Sequence, residues 1–291
     1  MNVLLTGASG LLGGYLLREL ADHDHRVIAW GGPRQSAAGA SSPVDLAHRD
    51  AVAAAFAAAR PDVVLHAAAL SSVAQCFQQP QQARTINIGG TQLLMELAAA
   101  ANARLLLVST DLVFDGQRGG YGENDPPSPR SVYGQTKSAA ERAVLGQPRA
   151  AVVRASLLYG PTRNQRRGFF DEQLARIRAG QPAPFFVDEW RTPLALSTAA
   201  RALAALALGD FEGLLHLGGP ERMSRWEMGA RLAKYLRCDE SACQPVSRAE
   251  SPSPEPRPRD SSLNSSAWRA VMPDQPWPSF EEALSEMLGK V

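Results

Sequence analysis

The stretch Asn2-Val3-Leu4-Leu5-Thr6-Gly7-Ala8-Ser9-Gly10-Leu11-Leu12-Gly13 decides how the rest of the chain is read. Residues 2–5 form a short apolar run of the kind that makes a buried strand, and beyond the glycines Leu12, Leu16 and Leu20 recur at helical spacing. A strand that turns directly into a helix has a use for each glycine. Gly7 permits a tight turn, Gly10 lets the backbone approach a pyrophosphate, and Gly13 lets the helix lie close on the strand. The amides and dipole at the helix start attract phosphate. A glycine spacing of this kind is weak by itself, because turns use glycine for steric reasons, but after an N-terminal strand it points to a bound dinucleotide.

Outward from that turn, residues 26–30, 61–66, 104–109 and 150–154 read as further buried strands, separated by helical stretches at 50–59, 91–101 and 133–145. Alternation of this kind builds a parallel sheet through right-handed crossovers, with helices on both faces and the ligand crevice beyond the carboxyl ends of the strands. After Tyr159 the punctuation changes: Pro161, Gly168, Gly180, Pro182, Pro184 and Pro193 break up shorter elements. That region reads as a cap. Helical spacing returns at 198–208 and 226–236, and residues 214–217 suit a strand that rejoins the main sheet. SPSPEPRPRDSSLNSS, from Ser251, is too proline-rich for a helix and is expected to bend over the surface before a last helix at 280–288.

The chain has 291 residues, 45% apolar and 20% charged, which suits a packed globular core. Thirty basic and 29 acidic side chains give a formal charge of +1, no field for a nucleic-acid backbone or an anionic membrane. Cys76, Cys238 and Cys243 are too few and too irregular for a disulfide framework or a zinc site, and no metal is expected. His23 and His25 with Asp22 and Asp24 read as a solvated turn. The start lacks a basic segment ahead of its apolar run, and no run approaches the roughly 20 residues of a membrane span, so a cytoplasmic protein without a membrane partner is expected. A homodimer is compatible with the chain.

At the end of the 104–109 strand stand Ser109, Thr110 and Asp111, and the later helix opens Tyr133-Gly134-Gln135-Thr136-Lys137. Positions four apart share a helical face, so Tyr133 and Lys137 project together. An unperturbed tyrosine, with a pKa of about 10, exchanges its proton poorly near neutrality, and an adjacent ammonium favours the phenolate. Tyr133 is therefore expected to act as general acid, tuned by Lys137, while Thr110 holds a carbonyl as charge develops on its oxygen. The second strand ends Trp30-Gly31-Gly32-Pro33-Arg34, with no carboxylate to repel a 2′-phosphate and a guanidinium able to pair with one. The cofactor expected is NADP(H), with NAD(H) still admissible.

Together the glycine turn, Thr110, Tyr133 and Lys137 resemble the extended short-chain dehydrogenase/reductase superfamily. The strings STDLVFDG from Ser109, YGQTK from Tyr133, RASLLYG from Arg154, DEWRTPL from Asp188 and RPRDSSL from Arg257 resemble its dTDP-4-dehydrorhamnose reductase branch over nearly the whole chain. The resemblance implies an α/β fold, a Rossmann-type doubly wound parallel sheet with a small C-terminal substrate-binding cap. Residues 1–159 would mainly bind NADP(H), and 160–291 would mainly form the cap, with segments returning to the core. It implies Gly7, Gly10, Leu11, Leu12 and Gly13 at the pyrophosphate, Asp45 and Leu46 at the adenine, and Ala67, Ala68 and Ala69 along the cofactor. Tyr133 and Lys137 would contact the nicotinamide ribose and, with Thr110, form the catalytic set. Asn87 matches a family asparagine near the crevice, and a buried capping role suits it equally.

For the substrate, the resemblance implies a nucleotide-linked 4-keto-6-deoxysugar beside Asp111, Leu112 and Leu157, with Arg191 and Thr192 as candidates for its diphosphate. Leu112 and Leu157 stand where the family reductases commonly carry tyrosine and tryptophan, so a differently substituted sugar is expected. Arg163, Arg166 and Arg167 form a basic run that could also meet a diphosphate, and the 116–130 loop could act as a lid. Leu112 in place of a glutamate disfavours dehydration. An epimerase shares the constellation, and the regulatory β subunit of methionine adenosyltransferase resembles the same reductases, so a non-catalytic binding protein is the reading from another class.

Overall fold

The computed structural model of the chain describes residues 1–21, 25–32, 42–163, 168–251 and 253–289. Seven strands, β1 (Asn2–Thr6), β2 (Arg26–Gly31), β3 (Ser42–Pro43), β4 (Val63–His66), β5 (Arg104–Thr110), β6 (Ala150–Ala155) and β7 (Gly213–Leu217), build one sheet in the order β3-β2-β1-β4-β5-β6-β7. Every adjacent pair is parallel. The expected α/β Rossmann-type sheet is present, and residues 214–217 do rejoin it. The two-residue β3 lies outside the sequence expectation, since Ser42 and Pro43 have no apolar pattern to mark them. The order reverses between β1 and β4, where such sheets open a crevice at their carboxyl ends.

Side-chain alternation explains why the sheet is covered on both faces. Val3, Leu5, Leu65, Leu106, Val153 and Leu215 join Leu16 and Leu20 of α1 (Leu11–Ala21) and Leu203 in one buried cluster with Trp268. Their neighbours Leu4, Val64, Leu105, Leu107 and Val152 pack on the opposite face with Val52, Phe56, Leu93, Leu94 and Val144. Helices α2 (Arg49–Ala59), α3 (Gly90–Ala100) and α4 (Val132–Val144) supply that second layer, and α6 joins α1 in the first once α5 (Phe169–Arg178) and α6 (Leu196–Leu208) are counted in chain order. Fully burying a leucine-sized side chain contributes about 1.5–3 kcal/mol, so two such layers dominate the stability of this fold.

A third apolar cluster sits apart from the sheet. It combines Phe170, Leu174 and Ile177 of α5 with Met228 and Leu232 of α7 (Arg225–Tyr235), and with Phe280 and Leu284 of α8 (Phe280–Leu288). The cap is not wholly free of sheet, because Ala183–Phe186 pairs in parallel with Cys243–Val246 and Trp190–Arg191 pairs antiparallel with Met223–Ser224. These strands are too short for an alternation pattern to show in sequence. Among the described residues no helix is long and apolar enough to cross a membrane.

Candidate active site

The glycine turn forms as its spacing requires. Gly7 has φ +75°, and a Cβ there would lie 2.7 Å from the Ala68 nitrogen. A Cβ on Gly13 would lie 2.1 Å from the Gly7 oxygen, so only glycine lets α1 approach β1 this closely. The amide of Gly10 donates to the Gly7 oxygen at 2.9 Å and closes the turn. Leu11 and Leu12, whose amides open α1 and have no partner one turn back, line the cleft beyond it.

Behind the turn a buried relay ties β1 to α3. Parallel register sets Thr6 beside His66. Thr6 Oγ1 lies 2.7 Å from His66 Nδ1 and accepts from the Ala68 amide at 3.2 Å. His66 Nε2 lies 2.9 Å from Thr91 Oγ1, which donates to the Asn87 carbonyl at 2.7 Å. Because the Thr91 proton is committed to that carbonyl, His66 must donate from Nε2, and its bare Nδ1 accepts from Thr6. Burial, reinforced by Lys137, pushes the imidazole down to about 3, so it stays neutral as the relay requires.

One cleft of about 1430 Å³ runs along the carboxyl edge of the sheet and gathers most of the expected residues. Gly7, Gly10, Leu11, Leu12, Gly13, Asp45, Leu46, Ala67, Ala68 and Ala69 line its first part, and Thr110, Asp111, Leu112, Tyr133, Lys137, Leu157 and Arg191 line its second. The glycines that leave no room for a Cβ, the helix-start amides and the small alanine wall fit a nicotinamide dinucleotide laid across the β1–β4 switch point. Arg34, Arg166, Arg167 and His23 lie outside the described residues.

At the reacting end, Ser131 caps α4 by accepting from the Gly134 amide at 3.1 Å, which sets Tyr133 in the first turn. Gly134 packs so tightly on the preceding segment that a Cβ would stand 2.2 Å from the Leu112 oxygen. Thr110 Oγ1 donates to Asp111 at 3.2 Å and accepts from the Leu112 amide at 3.2 Å. Burial raises the Tyr133 phenol above its ordinary range, Cys76 and Asp111 add to the rise, and the Thr110 hydroxyl opposes it. Lys137, expected to favour the phenolate, is not among the causes of this shift, whose direction is set by burial. Lys137, 2% exposed, is itself brought down to about 8 by burial, with Glu141 acting the other way. Glu141 is one turn further along α4, accepts from Ser109 Oγ and is clasped by Arg154 Nε and Nη2 at 3.0 and 2.7 Å. That buried pair fastens the Tyr133–Lys137 helix to β5 and β6.

Asp111 is buried beneath this set and its carboxyl is raised by burial, while Arg191, Ser261 and Thr110 oppose the shift. Arg191 contacts Asp111 at 3.3 Å and Glu189 at 3.2 Å and donates to the Trp190 carbonyl at 2.7 Å, so its charge is already matched by protein. Thr192 is absent from the cleft lining; its hydroxyl accepts from the Leu263 amide at 3.1 Å, behind the wall. Asn87 is also behind it, gripping Leu70 through both amide atoms and donating to Thr136 at 3.0 Å. Asn87 is buried, as the capping alternative requires, but it bonds the Leu70 backbone and Thr136 rather than a helix end. The 116–130 loop is stitched down through Tyr121, whose amide and carbonyl bond Ser262 and Asn264 at 2.9 and 2.8 Å and whose ring stacks on Phe114 at 4.3 Å.

Several cleft residues escaped the sequence reading. Ser71 to Gln75, Gln82, Ser156 and Glu189 line it, as do Ser253, Glu255, Pro256, Arg257 and Pro258 from the proline-rich stretch expected on the surface. Charged residues between prolines were a signal of a fixed, extended segment, but nothing local says where such a segment lies.

A Rossmann sheet with a glycine turn, a Thr-Asp strand end and a Tyr-Lys helix face along one cleft defines a nicotinamide-dependent short-chain dehydrogenase/reductase-like protein. The chain belongs to the RmlD substrate binding domain family, whose pattern it matches over residues 1–291. It is 32% identical to a probable dTDP-4,6-dihydroxy-2-methyloxan-3-one 4-ketoreductase of Streptomyces antibioticus, over 99% of this chain and 96% of that one. A dTDP-4-dehydrorhamnose reductase of Streptomyces griseus is 33% identical over 92% of this chain and 87% of its own. The methionine adenosyltransferase 2 subunit beta of Rattus norvegicus is 30% identical over 84% and 75%. Among solved structures, dTDP-4-dehydrorhamnose reductase from Bacillus anthracis in complex with NADP superposes with a TM-score of 0.86 at 25% identity, covering 99% of both chains.

Proposed function

We propose that this chain is an NADPH-dependent reductase of a nucleotide-linked 4-keto-6-deoxysugar. The observation that carries the reading is the convergence of Thr110, Tyr133 and Lys137 with the glycine turn along one cleft, in a chain whose relatives include named keto-sugar reductases. Bound in that cleft, the reduced nicotinamide supplies a hydride to the keto carbon. Tyr133, kept protonated by its surroundings, gives its phenol proton to the carbonyl oxygen as negative charge develops there. Thr110, positioned by the Leu112 amide, turns the one hydroxyl proton that rests on Asp111 in the free chain toward the same oxygen. Lys137 holds the ribose and supplies a positive field beside it. NADPH is preferred on this reading because β2 ends in Trp30 and Gly31 and is followed by Gly32, with no acid to repel a 2′-phosphate. The NADP complex of the Bacillus anthracis relative supports a bound nicotinamide dinucleotide, other structural neighbours hold NAD, and the preference rests on the end of β2 alone. Leu112 and Leu157 in the cleft give the sugar apolar contact without an aromatic face, which favours a sugar other than that of the rhamnose enzymes.

Loss of reduced-nicotinamide absorbance over a panel of dTDP-linked 4-keto-6-deoxysugars tests this directly. Turnover is expected with NADPH, and Tyr133→Phe is expected to lower kcat by about 10²–10⁴-fold, the usual contribution of a positioned acid. Unchanged turnover in the variant would remove Tyr133 as the donor. Similarity to the methionine adenosyltransferase subunit favours a second reading, a regulatory chain that uses the same cleft without turnover. A gain in a methionine adenosyltransferase's activity on adding this protein, with no keto-sugar reduction, is the result that selects it.

A further inference from the structure

The proline-rich stretch between α7 and α8 is a strap across the cleft. The Asp260 amide donates to the Gly116 carbonyl at 2.8 Å, the Trp190 amide to the Arg259 carbonyl at 2.7 Å, and Arg248 Nη1 to the Arg257 carbonyl at 2.7 Å. Gly116, at φ +68°, meets Pro258 so closely that a Cβ would lie 2.2 Å from the proline Cβ. Mid-strap, Glu255 reaches the start of the catalytic helix: its Oε1 accepts from the amide of Val132, the neighbour of Tyr133, at 2.6 Å.

Glu255 differs from the other acids around the reacting end. Asp111 and Glu189 both face Arg191, at 3.3 and 3.2 Å. Glu255 is 8% exposed, lines the cleft and, among the described residues, takes part in no ion pair. Its Oε2 has no hydrogen-bond partner. A buried carboxylate oxygen without a donor is costly, and a carboxylate can only accept, so the missing partner must be a donor. The described residues provide none, while the cleft that Glu255 lines is the place where a ligand could. Leu112 and Leu157 offer only apolar contact, and of the acids lining the cleft near the reacting end Glu255 is the one that no cation matches among the described residues, which fits it to distinguish a polar ring substituent from a deoxy position.

We propose that Glu255 sets substrate specificity by accepting a hydrogen bond from an O–H or N–H donor on the sugar ring, at a carbon next to the one reduced. This assignment rests on the sugar-reductase reading above. It makes the strap the specificity wall of the site, with Val132 holding one carboxylate oxygen and the sugar taking the other.

Calorimetric binding of dTDP and of dTDP-linked 6-deoxyhexoses carrying a hydroxyl, an amino group or hydrogen at that carbon tests the proposal without turnover, on the wild-type chain and Glu255→Gln. Glutamine keeps an acceptor for Val132 and puts an NH2 group where Oε2 stands. Affinity for the hydroxyl or the amino sugar is expected to fall roughly tenfold to a hundredfold in the variant, as for a charge-assisted hydrogen bond, while dTDP, the deoxy sugar and NADPH stay within about threefold. The donor class is the one whose affinity falls. With the matching keto-sugars, KM is expected to rise while kcat changes little. An equal loss across all ligands, a fall in kcat alone, or no change overturns the assignment, and so does a wild-type chain that binds these sugars no more tightly than dTDP. Selective loss of binding in a chain that reduces none of the sugars would retain Glu255 and remove the reductase reading instead.

Discussion

Tyr133 and Lys137 share one face of α4, and burial acts on them in opposite senses of charge: it holds the tyrosine protonated and loosens the proton of the lysine, which comes down to about 8. Spacing showed that the two side chains meet, but their protonation depends on what buries them, including Cys76 and Asp111 from segments remote in sequence. His66 makes the same point with a measurable consequence. Its folded value of about 3 lies below the unfolded 6.5, so the unfolded chain binds more protons between those values and stability contributed by the neutral ring is lost as pH falls from 6.5 toward 3. The melting temperature is expected to drop over that window, and to drop less steeply in His66→Asn. Parallel slopes for the two proteins would show that His66 is not the group responsible.

Helix α4 carries Tyr133 and Lys137, and three devices hold it: the Ser131 cap, the Glu141–Arg154 pair and the close approach of Gly134 to Leu112. The helix itself was legible, since residues 133–145 carry its period and the observed bounds, Val132–Val144, shift by one residue. Its seating was not legible, because the partners of Glu141 come from β5 and β6 and no local pattern reports them. In Gly134→Ala the new methyl would collide with backbone at 2.2 Å and push the first turn away from Thr110. A misplacement of about 1 Å costs on the order of 10²-fold, so kcat is expected to fall by that amount while NADPH affinity, to which the distant glycine turn would also contribute, falls by no more than a few-fold. Breaking the buried pair with Glu141→Gln is expected to destabilise the fold by about 3–5 kcal/mol in denaturant unfolding, because Arg154 would remain charged and unmatched. A loss below about 1 kcal/mol would show that Arg154 finds another partner.

At the scale of the molecule, the chain after Tyr159 both caps the cleft and completes the sheet. β7 pairs with β6 in parallel from Gly213↔Ala151 to Leu217↔Ala155, α6 covers the same face as α1, and Trp268 is fully buried in that layer. A fragment of residues 1–159 would expose the edge of β6 and the apolar layer that α6 and Trp268 cover. It is expected to show no cooperative thermal transition and to aggregate, whereas the whole chain is expected to melt in one. A fragment with a sharp transition and NADPH affinity equal to that of the whole chain would show that the first 159 residues suffice.

The sequence by itself determined the α/β layering, the glycine turn, and the shared face of Tyr133 and Lys137, because each depends on a local period or on the steric needs of one residue type. Only the tertiary structure decided that Arg191 is matched by Asp111 and Glu189, that Thr192 and Asn87 stand behind the wall, and that the strap brings Glu255 to the start of α4. Those outcomes depend on contacts between segments distant along the chain, whose placement is set by packing and charge pairing across the whole fold rather than by any local pattern.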